Sequence, residues 1–257
     1  MNTPSIDELF ERALSGDYGD PASWEAIHAL RRTGSREVFD RAATLCGSKT
    51  PIQRARGFDV LAQLGKSAAH PTHSFPEEAW AVVSRGAEQE SDPVALNAAI
   101  AALGHIGNPE AVPLIARHCQ HPDEDIRFTV ANALGSFPNE PLSGKALLSM
   151  MKDSDPDVRD WAAFGLGVLS NADSAEIRDA LMKCLDDDNE DVREEALVGL
   201  SKRKDLRILP ALMAALTQLG MSSRITDAAV FMLELEIPPK DWGGREYREA
   251  LRQRFPH

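Results

Sequence analysis

The stretch that decides the fold runs Asp155-Pro-Asp-Val-Arg-Asp-Trp-Ala-Ala-Phe-Gly-Leu-Gly-Val-Leu169. It opens with an acidic residue and a proline, which are favoured at the start of an α-helix. Its apolar side chains then recur at the spacing of one helical stripe, at Val158, Ala162, Leu166 and Leu169. The stretch therefore predicts an amphipathic helix that buries one side against neighbouring elements.

The same pattern returns along most of the chain. Clear copies begin at Asp92, Asp123 and Asn189, and weaker copies begin at Asp20, Thr50 and Ser223. One position, usually an arginine, falls at Arg54, Leu96, Arg127, Arg159, Arg193 and Arg224, with steps of 42, 31, 32, 34 and 31 residues. A period of this length is typical of repeat proteins built from stacked supersecondary units.

A second amphipathic segment lies between successive copies, at residues 109–119, 144–151, 175–185 and 206–219. Turn residues such as Gly107-Asn108-Pro109 separate the two kinds of segment. Each repeat is therefore predicted to be a pair of helices, and no segment shows the alternation of a β-strand. We expect the small residues Ala133, Gly165 and Gly199 to let a neighbouring helix approach closely, since a glycine within a helix otherwise costs about 0.8–1.0 kcal/mol relative to alanine.

The pattern Asp-x-Asp-x-x-Val-Arg-x-x-Ala-x-x-x-Leu-Gly resembles the HEAT repeat, in the short bacterial variety that is also found in phycobilisome lyase subunits. The resemblance covers residues 20–235 and implies an all-α fold. The implied architecture is a right-handed α-solenoid (superhelix) of about seven antiparallel helix pairs, of the HEAT/armadillo type. We expect a single solenoid over residues 1–257, with an N-terminal cap over 1–19 and a C-terminal capping segment over 236–257. These caps are predicted to contain helices over 6–14 and 245–255, and residues 66–76 are predicted to form a loop.

Composition and charge exclude several classes of protein. The net charge of −12 disfavours the phosphate backbone of nucleic acid as a partner. The three cysteines, Cys46, Cys119 and Cys184, are far apart and predict neither a disulfide framework nor a zinc site, so each is expected to be a small buried apolar residue. Residues 1–20 lack the basic and apolar stretches of a signal peptide, and no apolar run is long enough for a membrane span. We expect a soluble protein of the reducing cytoplasm.

The repeated arginines could form a basic stripe, but the HEAT resemblance implies a structural role for them. In that family the arginines form an internal ladder, in which each pairs with an acidic residue of an adjacent turn. The ladder here would consist of Arg54, Arg127, Arg159, Arg193 and Arg224.

Acidic residues crowd the turns at 123–125, 153–157 and 186–191. We expect them to cap helices and to complement the helix dipoles, with an acidic ridge for a basic partner as the alternative. The turn at 186–191 lacks the glycine and the final glutamate of a calcium-binding loop.

No catalytic motif is visible, and the sequence predicts neither a metal site nor a cofactor. The chain lacks the His-Glu dipeptides that iron-binding HEAT hydroxylases carry. Gly165-Leu-Gly167 lies within a predicted helix and is not a dinucleotide-binding loop. The HEAT-like DNA glycosylases need a basic, aromatic cleft, which the acidic charge disfavours. An enzyme or lyase subunit of the HEAT type, similar to the phycobilin lyases, is the alternative to a binding protein.

The HEAT resemblance places a binding surface on the concave side of the array, which the second helix of each pair lines. At about 100° per residue from Val158, the side opposite the buried stripe carries Asp160, Phe164 and Gly167, with Trp161 on its flank. The aligned positions in other copies are Phe128, Asn132, Glu194, Glu195 and Val198, and earlier in the chain Asn97, Ala101, His105, Arg56 and Asp59.

Exposed aromatic residues flanked by acids are typical of a protein-binding hot spot. The alternative is that Trp161 and Phe164 fill gaps between neighbouring helices. We expect a non-enzymatic scaffold or adaptor that binds another protein, one with a basic surface, on its concave face. Its predicted centre is Phe128, Trp161 and Phe164, and its predicted acidic rim is Asp160, Glu194 and Glu195. Neither nucleic acid nor a membrane is an expected partner.

Overall fold

A computed structural model of the chain describes residues 4–217 and 221–256. Over these residues the chain forms fifteen α-helices and no strand, and its fold class is the predicted α-solenoid. The first helices of the successive pairs are α1 (Ile6–Ala13), α3 (Arg36–Cys46), α5 (Pro76–Gln89), α7 (Ala111–Ala116), α9 (Pro141–Met150), α11 (Ala175–Cys184) and α13 (Leu209–Ala215). The second helices are α2 (Pro21–Thr33), α4 (Pro51–Ala62), α6 (Pro93–Ile106), α8 (Glu124–Gly135), α10 (Pro156–Ala163), α12 (Glu190–Lys202) and α14 (Ser223–Leu233).

Each first helix packs against the second helix that follows it, which confirms the prediction of helix pairs. The last helix, α15 (Gly244–Arg254), packs on α14 within one residue of the predicted position. α1, which we expected to cap the array, packs on α2 as the first member of a pair. The predicted segment 206–219 is a 3-10 turn followed by α13, and its last two residues lie outside the described residues. None of the described helices has the length and apolar character that crossing a membrane requires.

Contacts divide the chain into two compact units, residues 1–137 and 138–257. In the first unit the second helices α2, α4, α6 and α8 pack in succession, and in the second unit α10, α12 and α14 do the same. A leucine seven residues after the repeated arginine position is fully buried in copy after copy. These leucines are Leu61, Leu103, Leu134, Leu166 and Leu200. Each such side chain stabilises its unit by about 1.5–3 kcal/mol relative to exposure.

Side-chain caps fix where the second helices begin. Asp92, Asp123 and Asp155 precede α6, α8 and α10, and each accepts a hydrogen bond from a backbone N–H of the helix's first turn. A cap of this kind contributes about 1 kcal/mol. Acids therefore cap helices in the turns at 123–125 and 153–157, as predicted, whereas in the turn at 186–191 the capping residue is Asn189. The 66–76 loop is also confirmed, and its His73 is buried with Nε2 lying 2.6 Å from the Leu61 carbonyl.

Small residues let two pairs of second helices approach closely. A Cβ atom on Gly104 of α6 would lie 2.9 Å from the Cβ of Ala133 on α8. A Cβ atom on Gly199 of α12 would lie 2.8 Å from the Cα of Gly167. The predicted roles of Ala133 and Gly199 are confirmed, because any larger side chain at these crossings would force the helices apart.

A π-helical turn, Phe164–Leu169, ends α10, and it corrects two predictions. Leu169 was expected in the buried stripe, but its side chain is 40% exposed. Gly167 was expected on the open side, but it is buried against Gly199. Both errors have one cause: an i→i+5 turn advances by a smaller angle per residue than the assumed α-helix. Val158, Ala162 and Leu166 are buried as predicted.

The carbonyl groups at the end of this turn are satisfied by side chains from α12 and the residue after it. Arg203 donates to the carbonyl oxygens of Leu166 and Gly167 at 2.8 and 2.6 Å. Lys202 donates to the Val168 carbonyl at 2.7 Å. These bonds hold the π turn in place, since an unsatisfied buried carbonyl group costs about 1–3 kcal/mol.

Candidate functional site

Arg54 and Arg159 form ladder contacts of the expected kind. Nε and Nη2 of Arg54 donate to the Glu90 carboxylate at 2.7 and 2.9 Å. In the same way, Arg159 donates to Asp187 through both nitrogens at 2.8 Å. In each case the acid lies in the turn before the next second helix. The remaining guanidinium nitrogen, Nη1, donates to two carbonyl oxygens of the turn that precedes the arginine's own helix.

Arg127 and Arg193 each make the same Nη1 contact with the turn that precedes their helix. Nη1 of Arg127 donates to the carbonyl oxygens of His121 and Pro122 at 2.9 and 3.2 Å. Nη1 of Arg193 donates to those of Asp187 and Asp188 at 2.8 and 3.0 Å. Within the described part of the chain, no carboxylate lies within ion-pair distance of the Arg193 guanidinium. The prediction that Arg193 pairs with an acid is therefore wrong for these residues.

Arg224 differs from the ladder and corrects its predicted role. Its Nε lies 2.6 Å from Oε1 of Glu195, and its Nη1 lies 2.5 Å from Asp191 and 3.6 Å from Glu194. All three acids belong to the preceding second helix, α12, rather than to an adjacent turn. Arg224 therefore bridges the faces of α12 and α14 within the second unit.

The glutamates of α12 are buried, which corrects the predicted exposed rim. The residues are 7% exposed at Glu194 and 4% at Glu195. Ser222 donates a 2.8 Å hydrogen bond to Glu194, and Arg224 covers both carboxylates. Val198, also expected on the open face, is buried at 4% exposure. The two glutamates are buried because α14 and its capping residue pack on this part of α12.

Burial also changes the protonation of this acidic cluster. It raises the pKa of Glu195 to about 7, an effect that Arg224 opposes. Burial likewise raises the pKa of Asp160 on α10, which lies in the electrostatic field of Arg224, Asp191 and Asp157. Oδ1 of Asp160 is inaccessible to solvent and accepts no hydrogen bond from the described residues. Asp160 is therefore an acid whose charge the protein compensates only in part.

Two aromatic rings stand next to Asp160 on the same helix. The Trp161 and Phe164 rings pack edge to face, with centroids 5.7 Å apart and an interplanar angle of 87°. Both side chains are half-buried, as is Asp160. They therefore combine the two alternatives considered from the sequence: the rings pack on each other and also keep accessible area. Asp160, Trp161 and Phe164 form what we call the α10 surface.

The remaining predicted contact residues belong to the first unit. Phe128 and Asn132 are half-buried on α8, so both retain accessible area. The predicted exposure of Arg56 and Asp59 on α4 is wrong: they are 1% and 5% exposed.

Arg56 and Asp59 are buried because residues of the N-terminal segment cover them. The Arg56 guanidinium lies 4.6 Å from the Tyr18 ring and 5.3 Å from the Trp24 ring. The Tyr18 hydroxyl donates to the Asp59 carboxylate, with its oxygen 3.1 and 3.2 Å from the two carboxylate oxygens. Burial raises the pKa of Asp59 to about 6.

Sequence reasoning missed Asp191 and Ser222 and misassigned Arg224. The signal was present in the pair Glu194-Glu195, since two adjacent glutamates on a helix flanked on both sides require a cation or a donor nearby. Arg56 and Asp59 carried a similar signal in the first unit. Their burial depends on Tyr18, which is 41 residues from Asp59, and no local pattern reveals such a contact.

The three cysteines differ in burial, and none of the described residues forms a cluster suited to a metal ion. Cys46 and Cys184 are buried as expected, whereas Cys119 is half-buried. Burial raises the pKa of Cys119 and of Cys184 to about 11. Among residues 4–217 and 221–256, no group of three or more His, Cys, Asp or Glu side chains could hold a metal ion.

Comparison with known proteins identifies the family. A family model described as HEAT repeats matches residues 82–164 and 144–234, which together make up more than half of the chain. The chain belongs to the HEAT-repeat family. The HEAT match spans the copies that carry Arg127, Arg159, Arg193 and Arg224.

Similar proteins share this HEAT-repeat architecture. Protein YibA of Escherichia coli K12 is 28% identical over 229 residues, which cover 87% of this chain and 79% of YibA. The crystal structure of E. coli YibA matches with a TM-score of 0.74 at 24% identity, over 97% of this chain and 92% of that one. An archaeal HEAT-like repeats protein from Thermococcus onnurineus NA1 matches with a TM-score of 0.57 at 19% identity, over 90% and 97% of the two chains. These structural likenesses show the fold.

A shorter similarity connects the chain to a lyase subunit. Phycocyanobilin lyase subunit alpha of Nostoc is 32% identical over 79 residues. This stretch covers 31% of this chain and 29% of the lyase subunit. The similarity therefore covers less than a third of either chain.

Proposed function

We propose that the protein is a non-enzymatic scaffold that binds a protein partner at the α10 surface, through a basic side chain of that partner. The observation that carries the proposal is Asp160 itself: the residue keeps accessible area, and its charge is only partly compensated because the solvent-inaccessible Oδ1 accepts no hydrogen bond from the described residues. It stands beside an aromatic pair that keeps accessible area. A carboxylate next to aromatic rings is a favourable environment for an ammonium or guanidinium group.

The chemistry of a basic side chain fits each part of this surface. A cation beside Asp160 would offset the cost of holding that carboxylate half-buried, and hydrogen bonds to charged groups are worth about 1.5–3 kcal/mol each. The faces of Trp161 and Phe164 would attract the same cation, by about 0.5–1 kcal/mol at an accessible site. Arg224 already plays this part for the more deeply buried Glu195, so the protein itself provides an example of the interaction.

A repeat array suits such a role because its helices are fixed by neighbours on both sides. A preorganised surface loses little conformational entropy on binding, which leaves more of the contact energy for affinity. The net charge of −12 would also speed the approach of a basic partner.

The test is affinity capture from a cell extract with three immobilised proteins: the wild type, Trp161→Ala/Phe164→Ala, and Phe231→Ala. Phe231 is the matched control, because it is a 39%-exposed aromatic residue on α14 of the same unit. We expect a protein that the wild type and the control retain, and that the double variant loses. Circular dichroism and thermal unfolding of each variant establish that the fold is intact.

Basic recognition is tested on the captured protein after its purification. We expect its affinity to fall by about ten-fold for Asp160→Asn and to weaken as salt is raised, since an exposed ion pair is screened. A partner that the wild type and the double variant retain equally would contradict the binding site. Affinity that is unchanged by Asp160→Asn would contradict the basic side chain.

A further inference from the structure

Three basic residues of the first unit meet where successive second helices end. Arg31 lies in the last turn of α2, Lys66 follows the end of α4, and His105 lies in the last turn of α6. The Gly65 N–H donates to the Arg31 carbonyl at 2.7 Å, which places Lys66 beside the end of α2. The Lys66 ammonium in turn donates to the His105 carbonyl. Arg31, Lys66 and His105 form what we call the basic cluster.

The Arg31 guanidinium is held through one nitrogen and leaves the other two unused. Its Nε donates at 2.7 Å to the Asp59 carbonyl in the last turn of α4, and its Cζ lies 5.9 Å from the centre of the Trp24 ring. Nη1 and Nη2 donate no hydrogen bond within the described part of the chain, and the residue is half-buried. The guanidinium is therefore fixed in direction, while its terminal edge keeps its capacity to donate.

The chain supplies the basic cluster with little negative charge. Among residues 4–217 and 221–256, no carboxylate lies within ion-pair distance of Arg31 or Lys66. Asp59 is the acid whose field acts on Arg31. Its carboxylate already accepts from the Tyr18 hydroxyl and lies 3.7 Å from Nη1 of Arg56. The two cations of the cluster therefore lack an acid of their own.

The surroundings of the basic cluster are those of a concave surface. Burial lowers the pKa of Arg31 and of Lys66, and burial together with the charges of these two residues lowers the pKa of His105. Even so, His105 is exposed, and Arg31 and Lys66 are half-buried. Side chains that are surrounded by protein atoms but reached by solvent lie in a cleft, where charges of one sign concentrate their field on an incoming ion.

Helix dipoles account for only part of this arrangement. The carbonyl ends of helices attract cations, and Arg31 and Lys66 each donate one bond to such a carbonyl group. That bond uses one of the five N–H groups of an arginine, or one of the three of a lysine. Most of the donors of the two side chains therefore remain for another acceptor.

We propose that the basic cluster binds the carboxylate of an aspartate or glutamate side chain of a partner protein. The terminal edge of Arg31 would donate to both carboxylate oxygens, and the Lys66 ammonium would supply a second positive charge. A single carboxylate fits better than a nucleic acid backbone, because two cations suffice for one acid and the net charge of −12 opposes a polyanion. The site belongs to the first unit alone, so it stands or falls independently of the α10 surface.

The test titrates two peptides, acetyl-Ala-Glu-Ala-amide and its Gln counterpart, into the full-length protein. Binding is followed by the NMR signal of the Arg31 Nε–H group, which the bond to the Asp59 carbonyl protects from exchange. We expect a saturable shift with the Glu peptide and about ten-fold weaker binding of the Gln peptide, since only the former supplies a charged acceptor. The proposal is overturned by equal binding of the two peptides, by no saturable shift with the Glu peptide, or by tighter binding of a short single-stranded oligothymidylate.

Two variants that each remove one positive charge separate this site from general attraction. Lys66→Gln removes a cation of the basic cluster. Arg32→Gln is the matched control, because Arg32 is exposed and lines a different groove, between α1 and α2. We expect Lys66→Gln to weaken binding of the Glu peptide by about ten-fold and Arg32→Gln to change it by less than about two-fold. Thermal unfolding establishes that both variants are folded. Equal weakening by the two variants would overturn the proposal.

Discussion

Each unit of the chain places an arginine and a carboxylate where the second helices meet, but the two units treat that pair differently. In the first unit Arg56 and Asp59 are 1% and 5% exposed, beneath the rings of Tyr18 and Trp24. In the second unit Arg224 holds Glu195, while the neighbouring Asp160 stays half-buried without a complete set of hydrogen bonds. The first site is covered by the chain itself, although Nε and Nη1 of Arg56 donate no hydrogen bond among the described residues, and the second retains an acid that is only partly compensated.

On the function proposed above, the difference lets one repeat contribute to stability and another to binding. Tyr18 supplies to Asp59 the hydroxyl donor and the aromatic cover that a partner would have to supply to Asp160. Where the chain provides these groups, the polar pair becomes part of the core. Where the chain does not provide them, as at Asp160, the carboxylate remains partly uncompensated and the residue keeps accessible area. The sites are therefore expected to respond to substitution in opposite ways, in stability for the first and in binding for the second.

The largest effect is expected for Arg56→Met. This change leaves the buried Asp59 carboxylate without its ion-pair partner, 3.7 Å away, and removes the guanidinium that contacts the Tyr18 and Trp24 rings. Breaking a buried pair from one side costs about 3–5 kcal/mol. We expect a loss of about 3 kcal/mol in the free energy of unfolding, measured by urea denaturation followed by circular dichroism.

Arg224→Met is the matched control for the second unit. Its side chain is 36% exposed, and Glu195 can respond to the loss by taking up a proton. A loss of about half that of Arg56→Met is expected because the Arg224 guanidinium is partly solvated, although its partners Glu194 and Glu195 are buried. Equal losses for the two variants would contradict the distinction between a buried and a partly exposed arginine.

Tyr18→Phe should have the second-largest effect, because it removes only the hydroxyl group. The ring and its contact with Arg56 remain, but Asp59 loses the donor that lies 3.1 and 3.2 Å from its two oxygens. A hydrogen bond to a charged acceptor is worth about 1.5 kcal/mol or slightly more. We expect a loss of that size in urea unfolding. Retention of wild-type stability would mean that the ring, not the hydroxyl, is what holds the first site together.

The helices could be predicted from the sequence because their causes are local. A capping acid, a proline and a stripe of apolar residues set the start and the buried side of α6, α8 and α10, and the structure agrees. The repeated leucine, such as Leu134, follows from the same periodicity. What failed was the assignment of open faces. The π turn rotated Leu169 outward, and a constant helical angle cannot anticipate such a turn.

The candidate site was predictable only in part, for a different reason. Asp160, Trp161 and Phe164 lie on one helix, so their proximity follows from spacing alone. The burial of Glu194 and Glu195 depends on Arg224, about thirty residues further on, and that contact is set by how α12 and α14 pack. Contacts between helices that lie far apart in the sequence are fixed by packing, and no single segment encodes them.

Glu195→Gln tests the acidic cluster of the second unit through pH, with an effect of about 1 kcal/mol. The pKa of Glu195 is raised by burial from 4.5 to about 7, so between these values the folded protein binds more protons than the unfolded chain. Stability therefore falls as the pH rises through this window, and the full contribution is present only below it. We expect the wild type to lose about 1 kcal/mol more than Glu195→Gln between pH 5 and pH 8 in urea unfolding.

Glu190→Gln serves as the control, because Glu190 is an exposed acid on the same helix. Its pH profile should follow that of the wild type. If the free energy of unfolding of Glu195→Gln changed with pH in parallel with that of the wild type, Glu195 would not have the raised pKa, and the contrast between this buried acid and an exposed one would be contradicted.

The smallest effect on stability, and the most informative one, is expected for Asp160→Ala. Asp160 is half-buried and Oδ1 has no donor among the described residues, so its removal takes away little stabilising interaction. Surface changes without a partner usually alter stability by about 0.5 kcal/mol or less. Relief of the burial cost, which raises the pKa of this acid, pushes the change toward stabilisation. We expect urea unfolding to differ from the wild type by less than about 0.5 kcal/mol while partner binding at the α10 surface is lost. A large destabilisation would place Asp160 with Asp59 as part of the core, and the two units would then use their acids in the same way.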